Sequence, residues 1–229
     1  MRRRNRLVSV SQVVVVLGGC LMLQGCLVGA VVGGTAAVVG GTAKATGAVV
    51  GAGFGGVSVV DALARHGIEL VRGEGARTVT LFTAWRTEPP TAALTRALLD
   101  EGVRVLVPLT LPDLSLDWAE VRGLPAGDVV ADDAVGLGPA MGLDGIAEAD
   151  LVLTPGLAVD RAGMRLGQGG GCYDRTLPRR REGVRVVTLL HDVELVDRVP
   201  HEAHDLPVDG VLRPAGTTWF GGGRGAETP

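Results

Sequence analysis

The chain has 229 residues, 46% of them hydrophobic but only 3% aromatic, and a formal net charge of −3. That length suits one α/β domain with a sizeable core, or a domain plus an appendage, and apolar mass made of Val, Leu and Ala suits buried parallel strands covered by helices. The small net charge gives no ground for nucleic acid as a partner, and three cysteines (Cys20, Cys26, Cys172) without CxxC or metal-ligand spacing speak against a disulfide framework and for a reducing compartment.

Residues 1–60 stand apart. They hold Arg2, Arg3, Arg4, Arg6 and Lys44 and no acid, so the negative charge lies wholly in the remainder. Arg2–Arg6 lead into Val13–Leu17, and small residues precede Cys20 and Cys26, as in a bacterial lipoprotein signal. Residues 27–60 are almost entirely Val, Gly, Ala and Thr, with small-residue spacings that pack helices in a membrane. Three readings of the Gly/Val-rich segment 1–58 stay open: an export signal or membrane anchor, a wrong start or shifted reading frame, and a buried glycine-rich part of the fold.

From Asp61 the texture changes. Asp61–Val71 has apolar residues at helical spacing, and Thr78–Phe82 is a short β-rich run. Glu88-Pro89-Pro90 breaks the chain, Thr91 is placed to cap a helix over Ala92–Glu101, and Gly102 ends it. Val103–Pro108 is the next strand, which makes a βαβ unit with parallel pairing. A loop region with Pro112, Asp113, Asp117 and Trp118 follows. Ala149–Pro155, Val184–Leu190 and Gly210–Leu212 read as further strands. The pattern predicts a three-layer αβα fold with a mostly parallel sheet, a single α/β domain over 59–218 and a disordered tail over 219–229.

Three places carry chemistry. The run Arg165-Leu166-Gly167-Gln168-Gly169-Gly170-Gly171-Cys172-Tyr173-Asp174 follows a strand and a loop containing Asp160 and Gly163. Its glycines let backbone N–H groups turn toward an anion, Arg165 and Arg175 flank it, and Asp174 suits Mg²⁺ beside phosphate. The run is neither a GxxxxGK[ST] loop nor a dinucleotide fingerprint, and a flexible glycine hairpin is the bland alternative. The second place is Val199–Asp209, where His201, Glu202, His204, Asp205 and Asp209 form either a metal site or a solvated loop. The third is Glu88, at the edge where open α/β sheets bind ligands, with an exposed or capping acid as the alternative.

Leu151–Gly163, Arg165–Arg175 and Leu195–Asp209 together resemble the 5-formyltetrahydrofolate cyclo-ligase (5,10-methenyltetrahydrofolate synthetase) family in order and spacing. Weaker similarity over 61–110, including Thr87–Thr91, extends the resemblance to about residues 60–215. The resemblance implies phosphorylation of the formyl oxygen of 5-formyltetrahydrofolate by ATP, attack by N10, and release of 5,10-methenyltetrahydrofolate, ADP and phosphate, with no protein nucleophile. It implies that Arg165, Leu166, Gly167, Gln168, Gly169, Gly170, Gly171, Cys172 and Tyr173 bind ATP. By the same token Glu88, Thr83, Gln168, Gly170 and Cys172 bind the reduced folate, and Asp174 and Asp205 hold Mg²⁺.

The chain departs from the family pattern in three ways. Gln168 stands where the loop usually has arginine, Cys172 stands where it has a second aromatic, and the family's opening basic helix has no counterpart after Arg2–Arg6. The first two remove a cation near the phosphates and a ring that stacks on the pterin. Expected partners are ATP and a reduced folate, with membrane association tied to the N-terminal segment being genuine. The expected location is the cytoplasm, with a lipoprotein-like anchor as the alternative. A non-catalytic folate- or nucleotide-binding relative also stays open.

Overall fold

The computed structural model describes residues 58–125, 135–202 and 205–221. Residues 1–57 of the Gly/Val-rich segment, with Cys20 and Cys26, lie outside the described residues, as do His204 and residues 222–229. Among the described residues no helix is long and apolar enough to cross a membrane.

Helix α1 (Val59–Gly73) begins where Ser58 Oγ accepts a hydrogen bond from the Asp61 backbone N–H at 3.1 Å. Asp61 in the first turn and Arg72 in the last complement the helix dipole. Leu63, Leu70 and Val71 bury one stripe, the spacing expected of a helix lying on a sheet. Strand β1 (Thr78–Thr80), helix α2 (Ala92–Asp100) and strand β2 (Arg104–Thr110) follow, and β1 pairs with β2 in parallel. Gly102, at φ +74°, ends α2 as expected: its own N–H reaches Leu99 O and the Val103 N–H reaches Leu98 O. Two helices of the same face cross closely, since a Cβ on Gly67 would lie 2.5 Å from Leu94 Cδ1.

Thr91 does not cap α2 with its side chain, contrary to expectation. Its hydroxyl donates to Phe82 O at 2.7 Å and accepts from the Ala84 N–H at 3.2 Å. The chain leaving β1 has no strand partner there, and Thr91 supplies the partners that its buried backbone needs.

The remaining strands are β3 (Leu116–Gly123), β4 (Gly136–Ala140), β5 (Leu151–Thr154), β6 (Ala158–Asp160), β7 (Arg165–Leu166), β8 (Arg185–Leu189), β9 (Leu195–Val196), β10 (Gly210–Arg213) and β11 (Gly216–Trp219). The described residues form a mixed sheet in the order β11-β10-β8-β5-β1-β2-β3-β4. Its centre, from β10 to β2, is parallel, and both flanks are antiparallel. A small second sheet, β7-β6-β9, sits where the sequence reading had only a loop around Asp160. The region from Pro112 to Trp118 is likewise a hairpin turn followed by β3, antiparallel to β2. In β3 the inward Leu116, Trp118, Ala119 and Val121 are diluted by Asp117, Glu120 and Arg122, which hides the strand in the sequence. Strand β11 runs to Trp219, and the Phe220 N–H bonds Asp209 O at 2.8 Å, so the first residues of the segment read as tail are part of the sheet.

The central strands bury both faces. On one side Val105, Val107, Leu151, Leu153, Val187 and Leu189 pack under α1 and α2 with Leu63, Leu94 and Leu98. On the other, Leu106, Val152 and Val186 meet Trp118, Ile146, Tyr173 and Leu177. These come from β3, a 3-10 turn over Leu143–Glu148, the short helix α3 (Cys172–Thr176) and a 3-10 turn over Leu177–Arg179. Alternate residues of each strand therefore feed separate cores, each buried side chain of this size contributing about 1.5–3 kcal/mol. Asp150 ties the layers together: its carboxylate accepts from the Arg77 and Thr78 N–H groups, both at 2.9 Å, and from the Arg181 guanidinium at 2.6 Å.

Candidate active site

The exits of β1, β2 and β5 open, together with the small sheet, onto one cleft of about 830 Å³. This is the carboxyl edge of the parallel strands, the edge at which open α/β sheets bind ligands. The structure brings Thr83, Glu88, every residue from Arg165 to Asp174, and Asp205 to its lining.

The glycine wall is held by arginines. The Arg165 side chain is only 5% exposed, and its Nη2 donates to Asp174 Oδ1 at 2.9 Å. Its guanidinium carbon lies 5.6 Å from the centre of the Tyr173 ring. A Cβ on Gly167 would come 3.0 Å from Arg165 Nη1, so this glycine makes room for the cation. Arg175 Nη2 donates to Gly170 O at 2.9 Å and to Leu114 O at 3.0 Å, fastening the loop to the hairpin between β2 and β3. Gly171, at φ +61°, precedes α3, and a Cβ there would lie 2.9 Å from Arg175 Nη1. Burial pushes the Tyr173 phenol well above its ordinary pKa, with Arg165 pulling the other way. Its hydroxyl has no hydrogen-bond partner among the described residues and is held as a neutral donor.

The opposite wall is a turn closed by its own acid. The Glu88 N–H donates to Trp85 O at 3.0 Å, and Glu88 Oε2 accepts from the Trp85 N–H at 2.9 Å. The other carboxylate oxygen accepts from the Gln168 side-chain amide at 2.9 Å, a bond that spans the cleft. His191 Nε2 lies 3.1 Å from Thr87 O and steadies the turn from the end of β8.

The third wall holds Pro200, His201, Glu202 and Asp205. Asp205 Oδ2 accepts from the Glu202 N–H at 2.8 Å. Buried Asp160 anchors this segment from outside the cleft, accepting from the Val199 N–H at 3.0 Å and from the Ala162 and Met164 N–H groups at 2.9 and 3.0 Å. Burial raises the Asp160 carboxyl pKa, but these three donors and nearby His201 outweigh it and hold the carboxyl below its ordinary range. The cluster read over Val199–Asp209 therefore divides. Asp209 serves the sheet, its carboxylate accepting from the Val186 N–H at 2.7 Å.

Among the described residues no three His, Cys, Asp or Glu side chains gather as a metal cluster. Asp174 and Asp205 both line the cleft, and two carboxylates are the kind of donor that a hard cation completed by phosphate oxygens and water takes. The sequence reading did not single out Trp85, the Pro108–Leu116 hairpin walls, Pro155 and Gly156, or Asp160 as an anchor. Only Trp85 left a signal, as one of three tryptophans and three residues before Glu88.

The sequence profile of the 5-formyltetrahydrofolate cyclo-ligase family matches residues 55–214. A 5-formyltetrahydrofolate cyclo-ligase of Mycolicibacterium smegmatis is 38% identical over 170 residues, covering 69% of this chain and 87% of its own. One from Escherichia coli K12 is 31% identical over 144 residues, covering 61% and 79%. The 5,10-methenyltetrahydrofolate synthetase of Aquifex aeolicus superposes with a TM-score of 0.53 at 23% identity, over 72% of this chain and 85% of that one. That of Mycoplasma pneumoniae superposes at 0.52 and 15%, over 67% and 83%, and these two likenesses speak to the fold. The match over most of the described domain, and the identity to the mycobacterial enzyme, establish that the chain belongs to the 5-formyltetrahydrofolate cyclo-ligase family.

Proposed function

We propose that this protein converts 5-formyltetrahydrofolate to 5,10-methenyltetrahydrofolate, using Mg²⁺ and ATP and releasing ADP and phosphate. The observation that carries the reading is the meeting, in one cleft of a cyclo-ligase family member, of an acidic turn and an arginine-backed glycine wall. Glu88 accepts hydrogen bonds from the N–H donors of the reduced pterin, with Thr83 beside it. The backbone N–H groups from Gly167 to Gly171 and Arg165 hold the ATP phosphates and stabilise the charge that shifts during transfer.

The formyl oxygen attacks the γ-phosphorus and ADP leaves. The N10 lone pair then attacks the activated carbon, N10 loses its proton, and the carbon–oxygen bond breaks as phosphate departs with the former formyl oxygen. Positioning and charge neutralisation dominate such a reaction, and no covalent bond to the protein is needed. Asp174 and Asp205 would hold Mg²⁺, which when bound neutralises phosphate charge. The Arg165 pairing through one Asp174 oxygen leaves the second for the cation.

The test is an ATP-dependent rise in methenyltetrahydrofolate absorbance when the full-length protein meets 5-formyltetrahydrofolate and Mg²⁺. Binding of both co-substrates without turnover would select a non-catalytic relative instead. The reading includes a cytoplasmic protein, because both co-substrates are made there. A lipidated Cys20 or Cys26 in the N-terminal peptide would overturn that part.

A further inference from the structure

Arg175 follows the last residue of the glycine wall and does not itself line the cleft. One of its terminal nitrogens, Nη2, donates to two carbonyls, Gly170 O at 2.9 Å and Leu114 O at 3.0 Å. Leu114 lies at the tip of the hairpin between β2 and β3, 46% exposed and at φ +65°, a left-handed conformation that few non-glycine residues adopt. The tip is closed locally: the Leu114 N–H bonds Leu111 O at 2.9 Å, and the Ser115 N–H bonds Asp113 Oδ1 at 3.0 Å. The Ser115 hydroxyl and N–H hold the Asp113 carboxyl below its ordinary pKa range, and the nearby Arg175 charge adds to them. The hairpin thus gives the guanidinium a fixed support, and strain of this kind belongs to segments whose surroundings over-determine them.

The bond to Gly170 decides which way a peptide of the wall faces. In a trans peptide the carbonyl and the N–H that follows it point to opposite sides. Holding Gly170 O on Arg175 therefore turns the Gly171 N–H away from the arginine. Glycine takes either sign of φ at little cost. A peptide between two glycines turns over when only ψ of Gly170 and φ of Gly171, here +61°, change. Turned over, it would aim a carbonyl oxygen where an anion needs a donor. We propose that Arg175 is a positioning residue: by holding the Gly170 carbonyl, it keeps the Gly171 N–H directed to the phosphates of ATP. The arginine touches no phosphate, and its charge acts through the peptide that it orients. This rests on the ATP reading of the glycine wall and assigns the side chain that sets the polarity of that wall.

Two readouts on full-length wild type, Arg175→Met and Arg175→Lys test this. In amide NMR spectra of glycine-labelled protein without ligand, the Gly171 N–H should give one sharp resonance in wild type. In Arg175→Met it should split or broaden as the peptide exchanges between two orientations. Calorimetric titration with a non-hydrolysable ATP analogue and Mg²⁺ should give a dissociation constant about tenfold higher in Arg175→Met, the loss of one donor to a charged oxygen. Arg175→Lys keeps a cation that reaches Gly170 O and should recover part of that loss. The dissociation constant for 5-formyltetrahydrofolate should stay unchanged in both variants. Wild-type nucleotide affinity in Arg175→Met would overturn the assignment and leave the ATP reading standing. A loss shared equally by both co-substrates would overturn it too, as would a Gly171 resonance that stays single and sharp while nucleotide affinity falls. Should Arg175→Met not fold, Arg175→Lys carries the same comparisons with a smaller effect. A wild type that binds no ATP analogue would bring down the ATP reading, and this assignment with it.

Discussion

The two long walls of the cleft are built in opposite ways. The Thr83–Glu88 wall is a turn whose own carboxylate closes it, with that acid lining the cleft. The Arg165–Asp174 wall is closed from end to end by the pair of its first and last residues, and two arginine side chains lie against its glycines. The first is shaped to receive N–H donors, the second to receive anions. A side-chain bond between them, from the Gln168 amide to the Glu88 carboxylate, is solvent-exposed and worth about 1.5 kcal/mol, the low end for a bond to a charged group. Substrates of either kind can replace it.

Breaking the anion wall should have the largest effect. Arg165→Ala removes a nearly buried cation and strands Asp174, and steady-state turnover should fall at least about a hundredfold. Thermal unfolding should also move downward, and a turnover near wild type would contradict the assignment of this wall to phosphate. The acidic wall comes next. Glu88→Gln keeps the shape but weakens the acceptor, so KM for 5-formyltetrahydrofolate should rise about tenfold or more while KM for ATP holds.

Asp160 tests the support behind both. Its folded pKa lies below the unfolded value, so its contribution is present above roughly pH 4 and drains away as pH falls through the lower folded value. Asp160→Asn should cost about 2–3 kcal/mol at neutral pH by urea denaturation and flatten the acid limb of stability against pH. The smallest change is expected for Gln168→Leu, where loss of the cross-cleft bond should shift affinity for either co-substrate only a fewfold. An effect as large as that of Glu88→Gln would mean the two walls are not independent.

The centre of the sheet was legible because β2, β5 and β8 bury both faces and read as unbroken apolar runs. The flanks were not. Asp117, Glu120 and Arg122 interrupt β3, and Gly136-Leu137-Gly138-Pro139-Ala140 of β4 has no β-branched residue to mark it. The glycine wall and Glu88 were visible as local runs beside strand ends. The role of Asp160 was not, since its partner at Val199 is 39 residues away and a lone acid in a loop looks like solvent-facing charge. Thr91 was misread for a similar reason, because a helix-start threonine satisfies a cap rule equally well whether it turns forward to the helix or back to Phe82.

The three bonds to Asp160 bear on how tightly the cleft can bind. Fixing a backbone residue costs about 1–2 kcal/mol of conformational entropy, and a segment that orders only on contact charges that loss against its ligand. By gripping Val199 from inside the protein, Asp160 fixes the residue that leads into Pro200, His201 and Glu202. Much of that ordering is thereby completed during folding, and affinity at the third wall is freed from it.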